Sequence, residues 1–88
     1  MKTILVTGAG RGLGAAICAA ADGQGLRVAV LDQDIEAARS VTASLTHAVA
    51  LQADVCDPDQ IHNAIGQLDS VDILVNNAGI LATGPLID

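Results

Sequence analysis

The sequence contains no phenylalanine, tyrosine or tryptophan. Its core must therefore come from Val, Ile, Leu and Ala, without the large buried areas that aromatic side chains supply. Basic residues are scarce as well: four Lys and Arg stand against ten Asp and Glu, a net charge of −6. That balance excludes the basic surface that nucleic acid or an anionic membrane requires of a partner. Cys18 and Cys56 have no C-x-x-C spacing and no His partner at a recognisable distance, so both are expected as inert, reduced thiols. His47 and His62 have no second ligand at metal-binding spacing, and no metal site is expected. The small-residue run Ala15 to Ala21 is broken by Asp22 and its flanking glycines far short of a membrane span. Strand signals begin directly after Lys2, which leaves no room for a signal peptide, and a cytoplasmic location is expected. With 88 residues the chain is read as one domain at most. A chain this short buries only roughly 60 to 70% of its unfolded surface, so its stability should be thin.

What is present alternates between strand and helix signals. Thr3 to Val6, Val28 to Leu31, Ala48 to Leu51 and Ile73 to Val75 are short apolar runs, as strands of a parallel sheet covered on both faces require. Between them lie three helical patterns. Leu13, Ala16, Ile17 and Ala20 give one face of the first, which Gly23 or Gly25 ends. Ile35, Ala38, Val41 and Leu45 give a looser stripe in the second. Ile61, Ala64, Ile65 and Leu68 follow i, i+3, i+4, i+7 in the third, where Asp57 caps, Pro58 takes the first position and Gln60 completes a capping box. Right-handed crossovers then predict an α/β, Rossmann-type three-layer fold. Its parallel sheet has strand order 3-2-1-4, the first half of a doubly wound domain, with a ligand crevice where the order reverses.

The stretch Thr7-Gly8-Ala9-Gly10-Arg11-Gly12-Leu13-Gly14 joins the first strand to the first helix through a turn made largely of glycine. Alternate glycines allow positive φ and close backbone approach to a ligand. The helix start adds unpaired N–H groups and the positive end of its dipole. In an acidic chain a diphosphate has to be held by such local N–H groups, so Gly8, Gly10, Arg11, Gly12, Leu13 and Gly14 are candidate dinucleotide-binding residues. Asp32 ends the second strand, where its carboxylate accepts hydrogen bonds from both hydroxyls of an adenosine ribose. A carboxylate at that place repels a 2′-phosphate by roughly 4 kcal/mol per unit charge at an effective dielectric near 20. NAD is therefore favoured over NADP, although Arg11 stands where it reaches toward a 2′-phosphate. Asp32 also qualifies as a helix cap, but Asp34, next to Ile35, serves that purpose better.

These residues resemble the short-chain dehydrogenases/reductases over essentially the whole chain. The family signature T-G-x-x-x-G-x-G is met by Thr7, Gly8, Gly12 and Gly14, and its N-N-A-G signature after the fourth strand by Asn76, Asn77, Ala78 and Gly79. The resemblance implies that Gly8, Gly12 and Gly14 shape the diphosphate turn and that Asp32 holds the ribose. It also implies that Asp54 and Val55 contact the adenine edge, that Asn76 braces neighbouring strands, and that Asn77, Ala78, Gly79 and Ile80 line the cofactor cleft. On the residues alone, Asp54 equally begins a turn toward the Asp57 cap, and Asn-Asn-Ala-Gly is a good turn in any protein.

Members of the family exchange hydride between nicotinamide and a carbonyl/alcohol pair, using a Tyr-x-x-x-Lys pair located beyond the fourth strand. The chain has no tyrosine, and its one lysine, Lys2, begins a strand. The 88 residues are thus read as the cofactor-binding portion of an oxidoreductase, inactive alone, with an exposed fourth strand that favours oligomerisation or completion by further polypeptide. A catalytically silent dinucleotide-binding module is the alternative. A methyltransferase fragment that binds S-adenosylmethionine ranks behind it, because Thr7 stands where those proteins carry an acid.

Overall fold

The computed structural model describes residues 1–77. The order of elements is β1 (Thr3–Thr7), α1 (Gly12–Gly23), β2 (Arg27–Asp32), α2 (Ile35–Thr42), β3 (Ala48–Gln52), α3 (Pro58–Ile65) and β4 (Ile73–Val75). All pairings are parallel and the strands lie in the order β3-β2-β1-β4, the Rossmann-type arrangement expected from the alternating signals. The fourth strand is held to the first before it begins: Thr3 N–H donates to the Asp72 carboxylate (2.8 Å) and Asp72 N–H to the Thr3 carbonyl (2.9 Å). This fixes the register Ile4↔Ile73 to Val6↔Val75.

Strand side chains alternate between the two faces. Ile4, Val6, Val28 and Val30 pack under α1 and α2 with Cys18, Ala21 and Ala38. Leu5, Ala29, Leu31 and Leu51 face the other way, with Ala53, and are covered by α3 through Ala64 and the adjoining Ile61, Leu68 and Val71. With no aromatic residue available, Leu5, Leu31 and Leu51 are among the largest fully buried side chains. Truncating any of them to Ala removes about 2–5 kcal/mol. At the edge, β4 pairs only with β1 among the described residues, and its Leu74 is 61% exposed.

Three local details differ from the sequence pattern. The buried stripe of α1 is Gly14, Cys18 and Ala21, with Ile17 of the expected face half-buried against the core, whereas Leu13, Ala16 and Ala20 are exposed. Its phase is set by the need to place Gly14, which has no side chain, against the turn before it. In α2 and α3 the periodic leucines lie past the helix ends, which fall at Thr42 and Ile65; Leu45 and Leu68 pack on the core from the following turns. Asp57 does cap α3, accepting from the N–H groups of Asp59 (3.0 Å) and Gln60 (3.3 Å). The reciprocal half of the box is replaced: Gln60 Oε1 accepts from the Asp54 N–H at 2.9 Å, and the Asp57 N–H donates to the Asp54 carbonyl.

Candidate functional site

The site is built at the carboxyl ends of the strands, beginning where β1 stops at Thr7. The chain reverses at Gly8 (φ +62°) and enters α1 at Gly12 (φ +60°), two left-handed positions that strain any residue with a Cβ. Between them the backbone is stitched to β2: Ala9 N–H donates to the Leu31 carbonyl (3.1 Å) and Gly10 N–H to Asp32 Oδ2 (2.9 Å). Gly14 lies directly beneath the turn. A Cβ there would overlap the Gly8 carbonyl oxygen and stand 2.7 Å from Asn77 Nδ2 and 2.8 Å from Ala9 Cα. From the far side Asn77, buried at the end of β4, donates its amide to the Gly8 carbonyl at 3.0 Å. Thr7 Oγ1 faces Asn76 Oδ1 at 3.2 Å, so both asparagines join the β1 and β4 ends.

The start of α1 receives no side-chain cap, since Arg11 holds the capping position in extended geometry (φ −162°, ψ 168°) without a capping bond, and the first turn holds no acid. A helix start has N–H groups without intrahelical partners and a partial positive charge. Here they face a cleft of ≈ 350 Å³. The glycine turn contributes Gly8, Arg11, Gly12 and Leu13 to its lining, the β2 end Asp32 and Gln33, the β3 end Ala53 and Val55, and the β4 end Asn77. A Cβ placed on Gly12 would meet no atom within 4 Å, so the approach to that backbone is clear. The cleft spans the reversal of strand order at β1, where open α/β sheets bind ligands.

A sequence profile of the short chain dehydrogenases matches residues 2–88. The chain belongs to that family. It is 39% identical to a sorbitol dehydrogenase of Cereibacter sphaeroides over 92 aligned positions, which cover 99% of this chain and 36% of that enzyme. Among solved structures, a hydroxysteroid dehydrogenase from Escherichia coli superposes with a TM-score of 0.77 at 32% identity, over 85% of this chain and 35% of the other. A 3-ketoacyl-(acyl-carrier-protein) reductase from Brucella melitensis, solved with NADH, gives a TM-score of 0.72 at 29% identity, over 83% and 32%. The chain thus spans about a third of the length of the relatives it matches.

Of the residues expected at the site, Gly8, Arg11, Gly12, Leu13, Asp32, Val55 and Asn77 come together on the cleft. Gly10 is set back, where a Cβ would lie 2.7 Å from the Ala37 Cβ, and Gly14 is buried under the turn. Asp54 is not among the lining residues. Its Oδ1 accepts from the Cys56 N–H at 2.8 Å within the loop that leads to the Asp57 cap. Ala78 and Gly79, with Ile80, lie outside the described residues. Gln33 and Ala53 were not anticipated; each adjoins an acid that was, Asp32 and Asp54, and that adjacency was the available signal.

Around Asp32 the hydrogen bonds form a short chain. Its Oδ1 accepts from the Asp34 N–H (2.9 Å), and Asp34 Oδ1 caps α2 through the N–H groups of Glu36 (3.1 Å) and Ala37 (3.2 Å). The second oxygen of Asp34 holds Arg11 Nη2 at 2.9 Å. Burial pushes the Cys18 thiol up to about 11 by desolvating its charged form, which leaves it unreactive near neutral pH. Among the described residues no three His, Cys, Asp or Glu side chains gather as a metal site, and no helix is long and apolar enough to cross a membrane.

Proposed function

We propose that the glycine turn and the open start of α1 bind the diphosphate of NAD through backbone N–H groups, with Asp32 on the adenosine ribose and Val55 beside the adenine. One observation carries this reading: among the described residues, the helix start that opens on the cleft, that of α1, is left without a side-chain cap. Asp32 spends one lone pair per oxygen on Gly10 and Asp34 and retains others for ribose hydroxyls. Its negative charge disfavours a 2′-phosphate, so NAD is preferred over NADP. Asn77 supports the turn by holding the Gly8 carbonyl, and Ala78 and Gly79 are assigned to the same cleft by their motif. Asp54 is assigned near the adenine by the same family pattern. The NADH complex of the Brucella relative supports a nicotinamide cofactor.

The protein that carries this chain is proposed to be an oxidoreductase acting on a small carbonyl/alcohol substrate, with no nucleic acid or membrane partner and a cytoplasmic location. When bound, the cofactor supplies or accepts the hydride. The proton donor is assigned to polypeptide outside these 88 residues, which contain no tyrosine. That polypeptide, or a second subunit, also covers the exposed side of β4.

Titration calorimetry of the natural-length protein with NAD, NADP and S-adenosylmethionine tests the reading. The expected order is NAD tightest, NADP weaker and no heat with S-adenosylmethionine. Binding of S-adenosylmethionine alone, or of none of the three, overturns it. NAD binding without hydride transfer to any carbonyl would favour the silent module.

A further inference from the structure

We propose that Asp34, beyond capping α2, positions Arg11 and thereby sets how strongly the site rejects a 2′-phosphate; this rests on the dinucleotide reading above. Among the described residues Arg11 is the only basic one on the cleft lining, and its backbone adjoins Gly12 on the rim. From there a guanidinium would offset the charge of Asp32 and accept a phosphate on the ribose. Instead, its Nη2 lies 2.9 Å from Asp34 Oδ2, across the mouth between the glycine turn and the β2–α2 loop.

Asp34 is held firmly enough to direct this contact. Its N–H is tied to Asp32 Oδ1, and its Oδ1 accepts two backbone N–H groups of α2, which leaves Oδ2 for Arg11. The neighbouring cation, Arg39, is engaged by Glu36 at 3.1 Å and does not compete. Asp34 thus adds a second carboxylate next to the Asp32 end of β2, its N–H on Asp32 Oδ1, while its Oδ2 engages Arg11. Both effects act against the extra phosphate of NADP. Because Arg11 and Asp34 are largely solvated, with side chains 72% and 50% exposed, the effect is modest and salt-sensitive.

The test is a double-mutant cycle on the natural-length protein, reading the affinities for NAD and NADP. Asp34→Asn keeps an oxygen for the α2 cap but presents no charge to Arg11; Asp34→Ser does the same with a different cap and replaces it should Asp34→Asn not fold. The expected result is a gain of about three- to fivefold in NADP affinity with NAD within about twofold, shrinking at high salt. In an Arg11→Ala background the gain should shrink to the part that comes from removing the Asp34 charge itself. An undiminished gain in that background means that charge removal alone acts, and overturns the positioning role. Equal weakening of both cofactors means that Asp34 is only a cap, and an unmoved ratio overturns the assignment likewise. Wild-type protein that binds neither dinucleotide overturns the cofactor reading itself, whereas wild-type protein that binds NAD with an unmoved ratio in the variants overturns only the role of Asp34.

Discussion

The helix starts of this chain are made in two ways. α2 and α3 begin at Asp34 and Asp57, whose carboxylates each take two backbone N–H groups, and each adds an acid in its first turn, Glu36 and Asp59. α1 begins at Arg11 with neither device, although it is the longest of the three. A side-chain cap contributes typically about 1 kcal/mol. Leaving it out costs that stability in the free protein and keeps the N–H groups and dipole of α1 available to an anion from the cleft. The two acid-capped starts are stabilised from within; the third is left open for the counter-charge proposed above.

The largest effect on this contrast should come from Gly14→Ala. A methyl there overlaps the Gly8 carbonyl and crowds Ala9 and Asn77, so α1 has to move off the turn. Overpacking of this kind costs about 1–3 kcal/mol. Chemical denaturation should show that loss and calorimetry an abolished affinity for NAD; wild-type values in both would break the account of the turn.

Gly12→Ala sharpens the comparison because its two effects separate. The added methyl meets no protein atom, so the stability loss should be confined to the left-handed strain, about 1–2 kcal/mol. With the diphosphate against this backbone as proposed, the same methyl should obstruct it, and affinity should fall by a larger free energy than stability does. A parallel, equal loss in both measurements would mean that nothing approaches that backbone.

Arg11→Ser converts the α1 start to the style of the other two. The extended backbone at this position suits a Ser cap. The melting transition should rise by an amount corresponding to roughly 0.5–1 kcal/mol, while NAD binding weakens several-fold as the new hydroxyl competes for the N–H groups. The mirror experiment, Asp57→Ala, should lose about 1 kcal/mol and leave binding unchanged.

The smallest effect concerns whether α1 stays docked although its start is open. Cys18 lies on its buried face with a thiol pushed up to about 11, so in the folded protein near neutral pH an alkylating reagent should modify the exposed Cys56 and spare Cys18. The folded thiol keeps its proton above the ordinary value of 9.0 at which the unfolded one loses it. Its contribution to stability is therefore fully present below about pH 9 and is lost as pH rises toward about 11. Comparable modification of both cysteines would show that α1 frays.

Strand order, the glycine turn and Asp32 at its edge were legible because each depends on residues close in sequence: apolar runs, a glycine cluster, an acid ending a strand. The phase of α1 was not, because Gly14 rather than the apolar pattern decides which side of the helix meets the sheet. Leu45 and Leu68 kept the helical period while sitting in turns, since burial constrains where a side chain points and not which backbone carries it. Gln60 had the spacing of a capping box, yet the Asp54 N–H from the preceding loop takes its oxygen. The Arg11 to Asp34 pair and the Asn77 bond to Gly8 join residues far apart in the chain, and only the folded sheet brings them together.

The most direct measurement is an amide NMR titration of the natural-length protein with NAD. The N–H signals of Gly12, Leu13 and Gly14 should shift strongly and saturate together, while those of Glu36, Ala37, Asp59 and Gln60 at the capped starts remain in place. Saturable NAD binding that leaves the α1 signals unmoved would contradict the claim that the open helix start holds the diphosphate.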